Sequence, residues 1–179
     1  MRSKLKSFAR AREGLALVEF AAAFPVAALL LVGLVQVGDA LSASRKVSIT
    51  AETLDRLVSL QSSVQKADLV TIIGASSAVM APFPNSNATI VISEVTTDAK
   101  GVATVTWSQA SANGTPLPVG QTVVLPAGIV QPNVSLLLSQ VSYSYSSYLG
   151  ANLFGPLTLR DALYMNPRVS ASVTCSDCT

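Results

Sequence analysis

The sequence predicts an α+β protein. One long N-terminal helix, with a transmembrane front half and an amphipathic rear half, packs on a small antiparallel β-sheet. Three observations carry this reading. From Phe20 to Val35 there is no charged residue. Helical spacing of apolar residues then continues through Val47, Ala51, Leu54 and Val58. Beyond residue 87 the pattern changes to β-rich segments, beginning with A-T-I-V-I-S-E-V-T-T.

The front half comes first. Leu15–Val18 and Gln36–Ala43 extend the uncharged run past the ~20 residues that span a bilayer, interrupted only by Glu19, Pro25, Gln36 and Asp39. Arg2, Lys4, Lys6, Arg10 and Arg12 stand against Glu13, a net of +4 over residues 1–13. The remaining 166 residues hold seven Lys or Arg and nine Asp or Glu, a net of −2. Positive charge before the apolar run places the N-terminus in the cytoplasm and everything after about residue 40 outside it. The same distribution argues against nucleic-acid binding, because in the folded part only Arg45 and Lys46 form even a basic pair.

Three readings of this segment compete. A cleaved secretory signal fits the basic start, but its apolar region is normally 7–15 residues and ends in a small-x-small site; Asp39-Ala40 or Ala43 supplies only a weak one. A plain signal anchor leaves Glu19 unexplained, since a carboxylate deep in the span costs roughly 2.5–3.5 kcal/mol. The third reading gives Glu19 a purpose. The string Arg12-Glu13-Gly14-Leu15-Ala16-Leu17-Val18-Glu19-Phe20 resembles a type IV prepilin processing site, in which a peptidase cuts after a glycine and a glutamate stands fifth in the mature chain. Cutting between Gly14 and Leu15 makes Glu19 that residue. The new α-ammonium at Leu15, or that of a neighbouring subunit, then neutralises the carboxylate.

More narrowly, E-G-L-A-L-V-E-F-A-A-A-F-P resembles the TadE-like family, minor pilins or pseudopilins of the tight-adherence (Tad, type IVc) pilus. Its members open R-x-G-x-x-x-x-E-F-A and carry a proline about six residues beyond the glutamate, where Pro25 stands; a proline there removes a helical N–H and should kink the span. The resemblance implies a type IV pilin-like fold in four parts: a basic leader (1–14), a transmembrane helix (15–43), an amphipathic helix extension (44–74) and a periplasmic β-rich domain (75–179). It implies a single-pass protein of the bacterial inner membrane whose partners are a prepilin peptidase, other Tad pilins, inner-membrane assembly proteins and the lipid bilayer. An uncleaved, membrane-tethered binding module of adhesin type is the alternative.

In the rear half Leu57, Leu60 and Val64 widen the apolar stripe, while Lys46, Glu52, Asp55, Arg56, Gln65 and Lys66 lie opposite. Glu52 and Arg56 make an i, i+4 pair worth a few tenths of a kcal/mol. The helix is expected to run to about residue 72 and end near Gly74, followed by a loop over 74–87. Strands are expected at Ala88–Thr97 and Val102–Gln109, joined by a hairpin at Asp98-Ala99-Lys100-Gly101, with Ala103, Val105 and Trp107 sharing one face. Further strands are read at Gln121–Leu125, Ser135–Tyr148 and Arg168–Cys175, while 157–166 is left unassigned. In this tail the S-Y-S-Y run, the loop after it, P-R and the final strand loosely resemble the end of TadE-like domains.

Chemistry is scarce. With no histidine in the chain, Ser-His-Asp and Cys-His triads and histidine-rich metal sites are impossible. No G-x-S-x-G elbow, phosphate-binding loop or dinucleotide fingerprint occurs. No catalytic residue, metal site or cofactor is therefore expected, and a periplasmic enzyme is a third possibility without residues to support it. Cys175 and Cys178 admit a redox pair, half of a metal site, a bridge to another molecule or an intramolecular disulfide; an oxidising compartment favours the disulfide. Tyr143, Tyr145, Tyr148 and Trp107 read either as a binding surface or as ordinary sheet packing.

Overall fold

The computed structural model describes residues 13–146 and 156–178. Its elements run α1 (Glu13–Ser59), β1 (Ser63–Val64), α2 (Lys66–Met80), a 3₁₀ turn (Asn85–Asn87), β2 (Ala88–Thr97), β3 (Ala103–Ala110), β4 (Thr122–Val123), β5 (Ser135–Tyr145), β6 (Leu157–Met165) and β7 (Thr174–Cys175). The chain divides into two units at Asp39/Ala40. Among the described residues the N-terminal unit is the first part of α1. Its apolar side chains are exposed, among them Leu17, Phe20, Leu30 and Leu34, and mean hydropathy reaches 2.3. The helix is long and apolar enough to cross a membrane.

The second unit is α+β. Its sheet is antiparallel with strand order β4-β3-β2-β5-β6, while β1 and β7 form a separate parallel pair. One face of the sheet carries Ile90, Ile92, Leu137, Val141 and Tyr143 against Val47, Ala51, Leu54 and Val58 of α1 and Leu69, Ile73 and Met80 of α2. The other face carries Val95, Ala103, Leu136 and Leu138 beneath the loop residues Leu117, Leu125, Ile129 and Val134.

The first helix is shorter than the sequence suggests. It stops at Ser59, and the segment expected to extend it to residue 72 contains a turn, a two-residue strand and the start of a second helix. The reason is local. Ser62 and Ser63 favour turns and caps over helix interiors, and Gln65 with Asp68 forms a capping box that starts α2 afresh. Gly74 consequently lies inside α2, and the expected 74–87 loop is helical as far as Met80.

Two surface assignments also change. Leu57 and Leu60, placed in the apolar stripe, are 40% and 54% exposed, whereas Asp55, placed on the polar face, is fully buried. Glu52 and Arg56 do pair, at 3.6 Å, on the exposed side.

The β2–β3 hairpin turns at Gly101, whose φ is +79°. Asp98 Oδ1 accepts the amides of Lys100 and Val102, each at 2.8 Å. A Cβ at Gly101 would stand 2.8 Å from Val130 Cγ1. Gly101→Ala is accordingly expected to cost about 1–2 kcal/mol in thermal or urea unfolding, from left-handed strain with the added contact.

A β-bulge separates Ala103 and Val105 from Trp107. Val95 faces Val105 and Glu94 faces Trp107, so Thr106 is the extra residue. The bulge turns Trp107 to the helix side while Ala103 stays on the other. The expected single face is thus split between the two cores. The segment 157–166 contains a true strand, β6 (Leu157–Met165), paired along β5. The expected strand over 168–175 shrinks to Thr174–Cys175, because Ser170 Oγ donates to the Ser172 carbonyl and bends the chain before it.

Candidate functional site

The residues singled out by the sequence fall in two places. Gly14 and Leu15 lie in the first turn of α1, and Pro25 lies within that helix. The basic residues Arg2 to Arg12 are outside the described residues. Glu19 is exposed on a helix of exposed apolar side chains, and among the described residues nothing pairs with it. Phe20 and Phe24, one turn apart, meet with their rings tilted at 34° and 5.5 Å between centroids. An acidic group amid exposed hydrocarbon is costly in lipid unless a cation meets it.

The second place is the C-terminal tail. Cys175 and Cys178 are joined to each other in a disulfide. Asp177 lies between them, and its Oδ1 accepts the amide of Lys66 at 2.9 Å, at the start of α2. Both sulfurs and this carboxylate lie within 4.8 Å of one another. Bonded sulfurs are not the thiolates that ligate metal ions, and the carboxylate oxygen is already engaged. The group works as a clasp on a helix terminus.

Upstream, the tail is held at Val173. Its amide donates to Glu94 Oε1 at 2.7 Å, and its carbonyl accepts the Trp107 indole N–H at 2.6 Å. Ser135 Oγ donates to the same Glu94 oxygen at 2.6 Å. The amides of Arg168 and Thr174 donate to the carbonyls of Ser59 and Ser62. Residues 168–178 therefore form a strap across the α1–α2 connection, anchored on the sheet by a buried glutamate and a buried tryptophan. Sequence reasoning gave Glu94 no role beyond its place in the strand Ala88–Thr97 and put Trp107 on one face with Ala103 and Val105, which the bulge separates. An acid alternating with Ile90 and Ile92 on a strand was the available signal.

The aromatic residues are packing groups. Tyr143 is buried, and Phe83 meets Tyr143 and Tyr145 edge-on at 6.1 and 6.3 Å. Burial raises the Tyr143 and Tyr164 phenols above their ordinary range. Tyr148 lies outside the described residues. A depression of about 600 Å³ on the sheet is lined by Thr89, Gln140, Ser142, Arg160 and Asp161. Its two charged groups are consecutive on β6 and leave the strand on opposite faces, so they do not converge.

No family model, curated protein or solved structure matches this chain.

Proposed function

We propose that this chain is a minor pilin or pseudopilin that takes part in assembly of a Tad-type pilus from the bacterial inner membrane. One observation carries the reading. Glu19 stands five residues past Gly14, without a partner among the described residues, on an exposed apolar helix that follows a basic segment. A signal anchor gains nothing from such an acid, whereas cleavage after Gly14 supplies the ammonium that offsets it. The α+β unit beyond Asp39 then stands on the periplasmic side. There an oxidising compartment keeps Cys175 and Cys178 bonded.

The experiment is terminal sequencing of the full chain produced with and without a prepilin peptidase. The expected result is a chain beginning at Leu15 only when the peptidase is present, and a Gly14→Ala chain that keeps its leader. Processing after residue 14 in Gly14→Ala, or an intact Met1 in cells that hold the peptidase, overturns the proposal in favour of an anchored binding module.

A further inference from the structure

The helix–sheet interface contains an acid that the pilin reading does not use. Asp55 of α1 has no exposed surface, and neither carboxylate oxygen completes a hydrogen bond among the described residues. It faces Ser139 at the middle of β5, whose buried hydroxyl is close enough to act on the carboxyl but completes no hydrogen bond among the described residues. Ser139 sits between Ile92 of β2 and Leu163 of β6, so the site is walled by hydrocarbon.

No cation faces it. On α1 itself Arg56 is exposed and paired with Glu52. The sheet face that meets Asp55 offers two more acids, Glu94 on β2 and Asp161 on β6, and the phenol of Tyr143. On α2 the charged residues Lys66 and Asp68 are exposed, as are Arg168 and Asp177 on the tail strap. A carboxylate here is buried with no counter-charge among the described residues, and the one hydroxyl opposite offsets only a smaller part of that cost, so burial favours the neutral acid.

We propose that Asp55 is a proton-operated latch between α1 and the sheet: protonated, it lets the helix dock on β5, and ionised, it loosens that docking. Burial raises its pKa from 3.8 to about 7, with Ser139 offsetting a smaller part. The sign follows from linkage. The folded state keeps this proton while the unfolded chain releases it near pH 3.8. The group's contribution is therefore whole below pH 3.8, drains away as pH rises to about 7, and is level above that. Near neutrality a small pH change alters how firmly the helix is held. The latch lies in the second unit and is independent of leader processing.

The test is native-state hydrogen exchange on the full chain in detergent micelles, corrected for the intrinsic pH dependence of exchange. Between pH 5 and 7 the opening equilibrium of the Thr50–Ser59 amides is expected to rise roughly tenfold per pH unit, one proton's worth. It should then level off, and Asp55→Asn should abolish the rise. Infrared spectra should show a protonated carboxylic acid at pH 5.5 that Asp55→Asn removes. Should Asp55→Asn not fold, Ser139→Ala decides. Loss of the hydroxyl that lowers the pKa leaves the start of the rise in place and moves its levelling-off to higher pH. A flat wild-type profile, an unchanged profile in Asp55→Asn, or a Ser139→Ala profile identical to wild type overturns the proposal.

Discussion

Trp107→Ala is expected to lower the unfolding free energy by about 4 kcal/mol, enough to remove a large part of the stability of an ordinary domain. The indole is 2% exposed, lies in the core between the sheet and the two helices, and is the only tryptophan in the chain. Removing it opens a cavity lined by strand and helix side chains, and also strips the donor from the Val173 carbonyl. Trp107→Phe separates the two contributions. It keeps most of the apolar area and loses the N–H, so about 1–2 kcal/mol is expected from the orphaned carbonyl and the smaller ring. Urea unfolding of the full chain in micelles, followed by circular dichroism because the fluorophore is gone, measures both. A loss under 1 kcal/mol for Trp107→Ala would mean that the bulge does not aim the ring into the core.

That bulge marks where the sequence stopped being legible. The strand Ala88–Thr97, the strand expected at Val102–Gln109 and found at Ala103–Ala110, the Gly101 turn and the buried stripe Val47, Ala51, Leu54 and Val58 follow from local patterns, because periodicity and a glycine at positive φ are local properties. Thr106 looks like any other alternating threonine. Only pairing with β2 reveals it as the extra residue that reverses every side chain beyond it. Asp55 was misread for a related reason. Helical position puts it beside Leu54 on the border of the stripe, and its charge assigned it to water. The width of the buried face is set by the sheet that arrives from residues 88–165, which no window around residue 55 contains. The break after Ser59 was legible in principle, since the Gln65 and Asp68 capping box stands in the sequence, but continued apolar spacing masked it. At the candidate processing site the position is reversed. Gly14, Leu15, Glu19 and Pro25 form a pattern along one helix, so the sequence holds nearly all of that argument and the fold adds the exposure of Glu19.

Glu94→Ala is expected to cost about 3 kcal/mol, and the loss should appear first in the tail. Glu94 is 1% exposed, and one of its oxygens accepts both the Ser135 hydroxyl and the Val173 amide. Truncation leaves two buried donors without an acceptor, each worth roughly 1–3 kcal/mol when orphaned, and adds a cavity. Glu94→Gln keeps a carbonyl oxygen in place and should cost only about 1 kcal/mol, since the charge-assisted part alone is lost. Glu94 and Trp107 hold the same residue from its two sides, so their effects should not add. In a double-mutant cycle of Glu94→Ala with Trp107→Phe, a coupling of about 1 kcal/mol is expected, because once Val173 is free on one side the second anchor has less to hold. Exchange of the Val173 and Thr174 amides should rise in either single variant before that of β2 or β5. Strict additivity, with the tail amides as protected as in wild type, would mean that the strap is held by the disulfide and the Lys66–Asp177 contact instead. The distinction matters for the proposed function, because the strap covers the junction where α1 ends. A pilin that must release or reorient its helix would have to loosen that anchor as well as the latch at Asp55.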